Sequence, residues 1–102
     1  MIIRTWTGKV APDKISAFEE FGIKDAIPKI KRQEGCVKII MGKNICEGSR
    51  EYQVITIWKD LESMKGFAGE DWNEPVMLPG EKTLLDGRPK LEHYNVAEMV
   101  DL

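Results

Sequence analysis

The chain is poor in metal-binding side chains: of its 102 residues only two are cysteine and one is histidine. That set is too small for tetrahedral coordination, so no metal site is expected. Cys36 and Cys46 fall in what reads as one long strand or hairpin arm, where ~3.3 Å per residue would hold them ~30 Å apart. They are expected to stay free thiols, which fits a reducing compartment. No apolar run approaches the ~20 residues of a membrane span, and the start, MIIRTWTGK, lacks the apolar region and small-residue cleavage site of a secretory leader. A cytoplasmic protein with no membrane partner is therefore expected. Neither sign of charge dominates: 15 basic residues face 17 acidic ones, for a formal net charge of −2. The basic residues are spread along the chain, so no nucleic-acid partner is expected. A Gly-rich phosphate loop and a nucleophile elbow are also missing, and no cofactor is predicted.

What is present is one domain, 1–102, with material for one modest core. Its best-specified stretch runs from Glu51 to Trp72. Residues 51–58 are β-branched and aromatic in two alternating rows, Tyr52/Val54/Thr56/Trp58 and Glu51/Gln53/Ile55/Ile57, so both faces of a central strand carry apolar groups. Asp60 then caps a helix whose Leu61, Met64, Phe67 and Ala68 recur at helical spacing, and Gly69 can end it in the left-handed conformation. Upstream, residues 2–10 alternate as a first strand. Pro12 suits a helix start, and Ile15, Phe18, Phe21, Ala26 and Ile30 keep to one face until Gly35. Pro28 interrupts that run and predicts a kink near Lys24. Lys29, Lys31 and Arg32 complement the dipole at the helix end. Residues 36–46 read as a second strand, with Val37/Ile39/Met41/Ile45 on one face and a bulge or close approach at Gly42, followed by a turn at Glu47-Gly48-Ser49. Asp71 and Glu74 read as a capping box opening a short helix closed by Pro79-Gly80, residues 81–90 as a loop, and 91–97 as the last strand.

The order β-α-β-β-α-β predicts an α+β fold: a ferredoxin-like, split β-α-β, antiparallel four-stranded sheet with helices on one face. The helices can cover only that face, yet the second and third strands are apolar on both. A row of this kind exceeds the few hundred Å² of contiguous apolar surface that monomers tolerate. A homodimer through the sheet face is expected.

Laid out in this way, the chain resembles the antibiotic-biosynthesis-monooxygenase-like domains of the dimeric α/β-barrel superfamily. The matching features are the Pro-initiated helix after strand one, Ile27-Pro28 with Arg32 and Gly35 before strand two, and Ile57-Trp58 followed by Asp60-Leu61-Glu62. To these are added Phe67-Ala68-Gly69 leading to Trp72, and His93-Tyr94 on the last strand. The resemblance implies one of three kinds of protein: a cofactor-independent oxygenase of aromatic or enolisable compounds, a haem-degrading enzyme, or a member without a reaction. By register, the amide, tryptophan and axial histidine of the haem-degrading branch fall near Arg4, Phe67 and Met77, so haem degradation is not expected. Met77, between Val76 and Leu78, is read as core.

Candidate site residues follow from chemistry. His93 is the only group whose ordinary pKa lies near neutrality, so it is the candidate catalytic acid–base residue; the alternative is a strand histidine satisfied by the backbone. Arg4 and Trp6 share a strand face and could line a cleft, with the guanidinium for an anion or enolate and the indole for stacking or simple packing. Trp72 and Asn73 stand where a pocket rim is expected, with anchoring of a short helix as the alternative for Trp72. The ligand expected is a small hydrophobic compound, either oxidised or only bound by a non-enzymatic, stress-associated module.

Overall fold

The computed structural model describes residues 1–102. Strand β1 (Ile2–Lys9) is flanked on both sides, and the alternation of its residues sets the layout of the molecule. It pairs antiparallel with β3 (Glu51–Trp58) and with β4 (Lys90–Asn95), while β2 (Cys36–Lys43) extends the sheet beyond β3, giving the order β2-β3-β1-β4. In this register Arg4 stands opposite Thr56 and His93, whereas Ile3 stands opposite Ile57 and Tyr94. Because successive side chains alternate, the first set faces the helices and the second faces away. This is the ferredoxin-like α+β arrangement expected from the sequence.

The helical run before β2 is broken in the middle. Helix α1 (Ile15–Phe21) passes through a π turn (Gly22–Ala26) into α2 (Ile27–Lys31). Pro28 follows the π turn inside this continuous helical run, so it brings no N–H to bond back, and the wide turn falls where an α turn would set its ring against the Lys24 carbonyl. The expected kink is thus a π turn. Pro12 sits in a turn before α1 rather than inside it, and Asp13 there has φ 64°. Helix α3 (Leu61–Ala68) begins as expected: Asp60 accepts from the Ser63 backbone N–H at 2.8 Å and the Ser63 hydroxyl at 2.7 Å. Gly69, at φ 83°, ends it. Gly35 has φ 86° and lies so close to Ser63 that a Cβ there would collide with it, so no other residue fits this join between α2 and β2.

Four expectations are corrected. The bulge in β2 falls between Cys36 and Lys38, not at Gly42; it turns Val37 outward while Ile39 and Met41 stay on the helix side. Beyond Lys43 the strand ends, because the Asn44 side chain captures the Cys46 N–H at 2.8 Å, and Ile45 is fully exposed. No helix forms over 71–79. Glu74 makes only a turn back to Asp71, since a residue before proline avoids the helical region and Pro75 follows at once. A 3-10 turn (Lys82–Leu84) appears instead where a loop was expected.

The core is in two parts. Val10, Phe18 and Tyr52 pack with Trp6, Ile15, Met41, Leu84 and Leu85 at one end. Ile30, Trp58 and Met64 pack with Ile2, Ile39, Phe67 and Trp72 at the other. No helix is long and apolar enough to cross a membrane.

Candidate functional site

Between the two core clusters lies a partly enclosed cavity of about 70 Å³. Its floor is the helix side of the sheet, with Arg4 and Trp6 from β1, Val54 and Thr56 from β3 and Met41 from β2. The π turn and its neighbours form the roof, where Gly22 and Ala26 keep the wall thin. A Cβ on Gly22 would come within 2.7 Å of the Met41 side chain. Phe67 closes one side, and the segment after α3 contributes Val76, Leu78 and Glu81. A Cβ on Gly8 would collide with the Trp6 indole, so that ring lies folded over a glycine, stacked on Phe18 at 5.9 Å.

Arg4 is 4% exposed and makes both of its hydrogen bonds through Nη1, to the Trp72 carbonyl at 2.7 Å and to His93 Nε2 at 2.9 Å. Its guanidinium also lies 5.9 Å from the centre of the Phe67 ring, within cation–π range. Nε and Nη2 have no partner in the chain, and no carboxylate pairs with this cation; burial lowers its pKa to about 10, so it stays charged at neutral pH.

A guanidinium has donors and no acceptor, so His93 must accept through Nε2 and carry its proton on Nδ1. Burial first, and then the charge of Arg4, lower the His93 pKa, which favours this neutral form. Trp72 meets the His93 ring edge to face at 4.8 Å. The structure thus brings Arg4, Trp72 and His93 into one contact set behind the cavity, with Trp6 on its wall. Asn73 is exposed and outside it. Met77 is also exposed, contrary to the expectation of a core residue; Val76 and Leu78 on either side take the inward positions.

Sequence reasoning missed Glu81. It is 8% exposed, lines the cavity, and its Oε2 has no hydrogen-bond partner. Burial raises its pKa to about 7. The 3-10 turn holds it there: Leu84 and Leu85 pack into the first core cluster and Leu85 bridges to Val10. Positions 81, 84 and 85 share one helical face, which is the signal that could have pointed to its burial. No group of three or more His, Cys, Asp or Glu that could hold a metal ion is present, and both cysteines are free thiols.

The architecture, a four-stranded ferredoxin-like sheet with its cavity under the helices, is similar to that of solved structures named as antibiotic biosynthesis monooxygenases. No family model and no curated protein matches the sequence, but solved structures match over nearly its whole length. One, provisionally assigned as an antibiotic biosynthesis monooxygenase from Deinococcus radiodurans, is 15% identical with a TM-score of 0.76, covering 100% of this chain and 98% of that one. Another of the same provisional assignment, from Bordetella bronchiseptica, is 20% identical with a TM-score of 0.73, over 95% and 97%. A third is a mutant of SnoaB, a cofactor-independent oxygenase from Streptomyces nogalater, 16% identical with a TM-score of 0.73, over 97% and 95%. At these identities the likeness establishes the fold.

Proposed function

We propose that this domain binds a small, flat, hydrophobic compound that can form an enolate or phenolate, and oxidises it with O₂ without a metal or flavin. The observation that carries this reading is Arg4: a buried cation with unpaired Nε and Nη2 on the wall of a cavity lined, apart from Thr56 and Glu81, by aromatic and aliphatic residues. Such a fork stabilises an oxyanion far better in that setting than in water. A neighbour of the same fold, SnoaB, is named as a cofactor-independent oxygenase.

In the reaction, a base takes a proton from an activated methylene and Arg4 holds the resulting enolate oxygen. The carbanion carbon and O₂ combine to a hydroperoxide, and loss of water leaves a carbonyl. One oxygen atom ends in product and the other in water, with all four electrons drawn from the substrate. His93 acts as a positioning residue that holds the guanidinium from behind, since its Nε2 lone pair is engaged. Trp6 supplies the stacking wall, and Trp72 holds the guanidinium through its carbonyl while packing on His93.

The cavity is about half the volume of the ~150 Å³ site known to hold benzene. A whole ring therefore enters only if a wall moves, and the wall without helix or strand is 69–81. The outer sheet face, with Ile3, Ile40, Ile55, Ile57 and Tyr94, is read as the surface on which a second copy packs.

A panel of hydroxynaphthalenes and cyclic 1,3-diketones, followed by oxygen electrode and by ¹⁸O₂ incorporation, tests the reading. One labelled atom in product, lost in Arg4→Met, is expected. Tight binding with no oxygen consumed would instead favour the non-enzymatic alternative, in which the same cavity only sequesters its ligand.

A further inference from the structure

The cavity has two charged residues in its lining and they do not pair with each other: Arg4 and Glu81 form no salt bridge. Arg4 offers unused donors, and Glu81 offers Oε2, a buried acceptor without a partner. Buried carboxylate oxygens are nearly always hydrogen-bonded, so an orphan one in a binding cavity marks a place for a donor that arrives with the ligand. The other lining residues are apolar except Thr56, so no second acceptor of comparable strength competes for that donor.

We propose that Glu81 is the proton acceptor of the cavity, receiving the hydroxyl or enolisable proton of a bound phenol or enol whose oxygen then rests on the Arg4 guanidinium. This assignment rests on the reading of the cavity given above and adds the group that reading leaves unnamed. In the step, the O–H or C–H bond of the ligand breaks, an Oε2–H bond forms, and the electron pair stays on the ligand as its oxyanion; nothing is oxidised. Two features of the site suit it. Arg4 is the only other titratable residue on the wall, so the anion forms beside a fixed cation. The surrounding apolar wall also holds the carboxyl near neutrality, where a group can both take and return a proton.

The test uses 4-nitrophenol, whose absorbance reports its ionisation, and nitrobenzene, which has the same ring without the hydroxyl. Wild-type protein is expected to bind 4-nitrophenol at least tenfold more tightly than nitrobenzene and to show the phenolate band for the bound form. Glu81→Gln is expected to cut that preference below threefold and remove the band while leaving nitrobenzene affinity unchanged, which also shows the variant to be folded. In wild-type protein with ¹³C-carboxyl glutamate, the infrared stretch of a protonated carboxyl should grow on binding. Equal affinity of wild type for the two probes, or a Glu81→Gln variant that keeps the preference, overturns the proton-acceptor role and leaves the cavity reading standing. Failure of both probes to bind overturns the cavity reading and this role with it.

Discussion

The two faces of the sheet both carry apolar rows and have opposite fates: the inner row is aromatic, with Trp6, Tyr52 and Trp58, and the outer is a band of isoleucines edged by Lys38, Glu51 and Glu92. On the helix side Trp58 and Tyr52 are fully enclosed, the Trp58 indole N–H reaches Thr56 Oγ1 at 2.8 Å, and polar groups are packed among rings. On the other side Ile40 is 48% and Tyr94 50% exposed, beside half-buried Ile3, Ile55 and Ile57. What separates them is cover: the inner face is closed by the chain's own helices, whereas no element of this chain packs on the outer one, where the proposed second copy would sit.

The largest blow to this contrast comes from the inner face. Trp58→Ala, which empties a site ringed by Phe67, Ile30 and Met64, is expected to cost about 3–5 kcal/mol in denaturant unfolding. Next, Ile57→Lys should raise the dimer dissociation constant at least tenfold, or roughly 1.4 kcal/mol, in sedimentation equilibrium. A wild-type chain that sediments as a monomer would sink the idea that a twin covers the outer face.

A smaller effect concerns the orphan carboxylate. Unfolded, a glutamate titrates near 4.5, while folded Glu81 holds its proton to about 7. Between those values the native state binds more protons, so stability falls as pH rises through the window and the loss is complete above it. Glu81→Gln removes this slope: thermal midpoints should shift in the variant's favour between about pH 4 and about pH 8. An unchanged difference would show that the carboxyl is not held near neutrality. The smallest expected effect is Ile40→Thr, which should cost less than about 1 kcal/mol in the Ile57→Lys background, where nothing covers it. A larger loss would place Ile40 in a core that one chain does not provide.

The strands, the Asp60 cap, the Gly69 stop and the break before Pro28 were legible because each depends on neighbours a few positions away. Period-2 patterning, a carboxylate three residues from an orphan N–H, and a missing amide are local facts. The sheet register that sets Arg4 beside His93 was foreshadowed by placing Arg4 and Trp6 on one face. The segment 69–89 was not legible. Its course is set by long-range ties, among them Arg4 to the Trp72 carbonyl, Asp86 N–H to the Lys9 carbonyl at 2.7 Å, and Arg50 to Asp86 at 3.3 Å. Propensity alone predicts a helix at 71–79 and, over 81–90, a loop with the apolar pair Leu84 and Leu85. It thereby hid Glu81, whose burial depends on Leu84 and Leu85 finding the end of β1.

Gly8 gives the cavity a built-in gauge. Because the Trp6 indole rests directly against that hydrogen-only position, any carbon added there must tip the ring, and the space above it would narrow in proportion. A residue outside the cavity lining thus fixes where one of its walls sits.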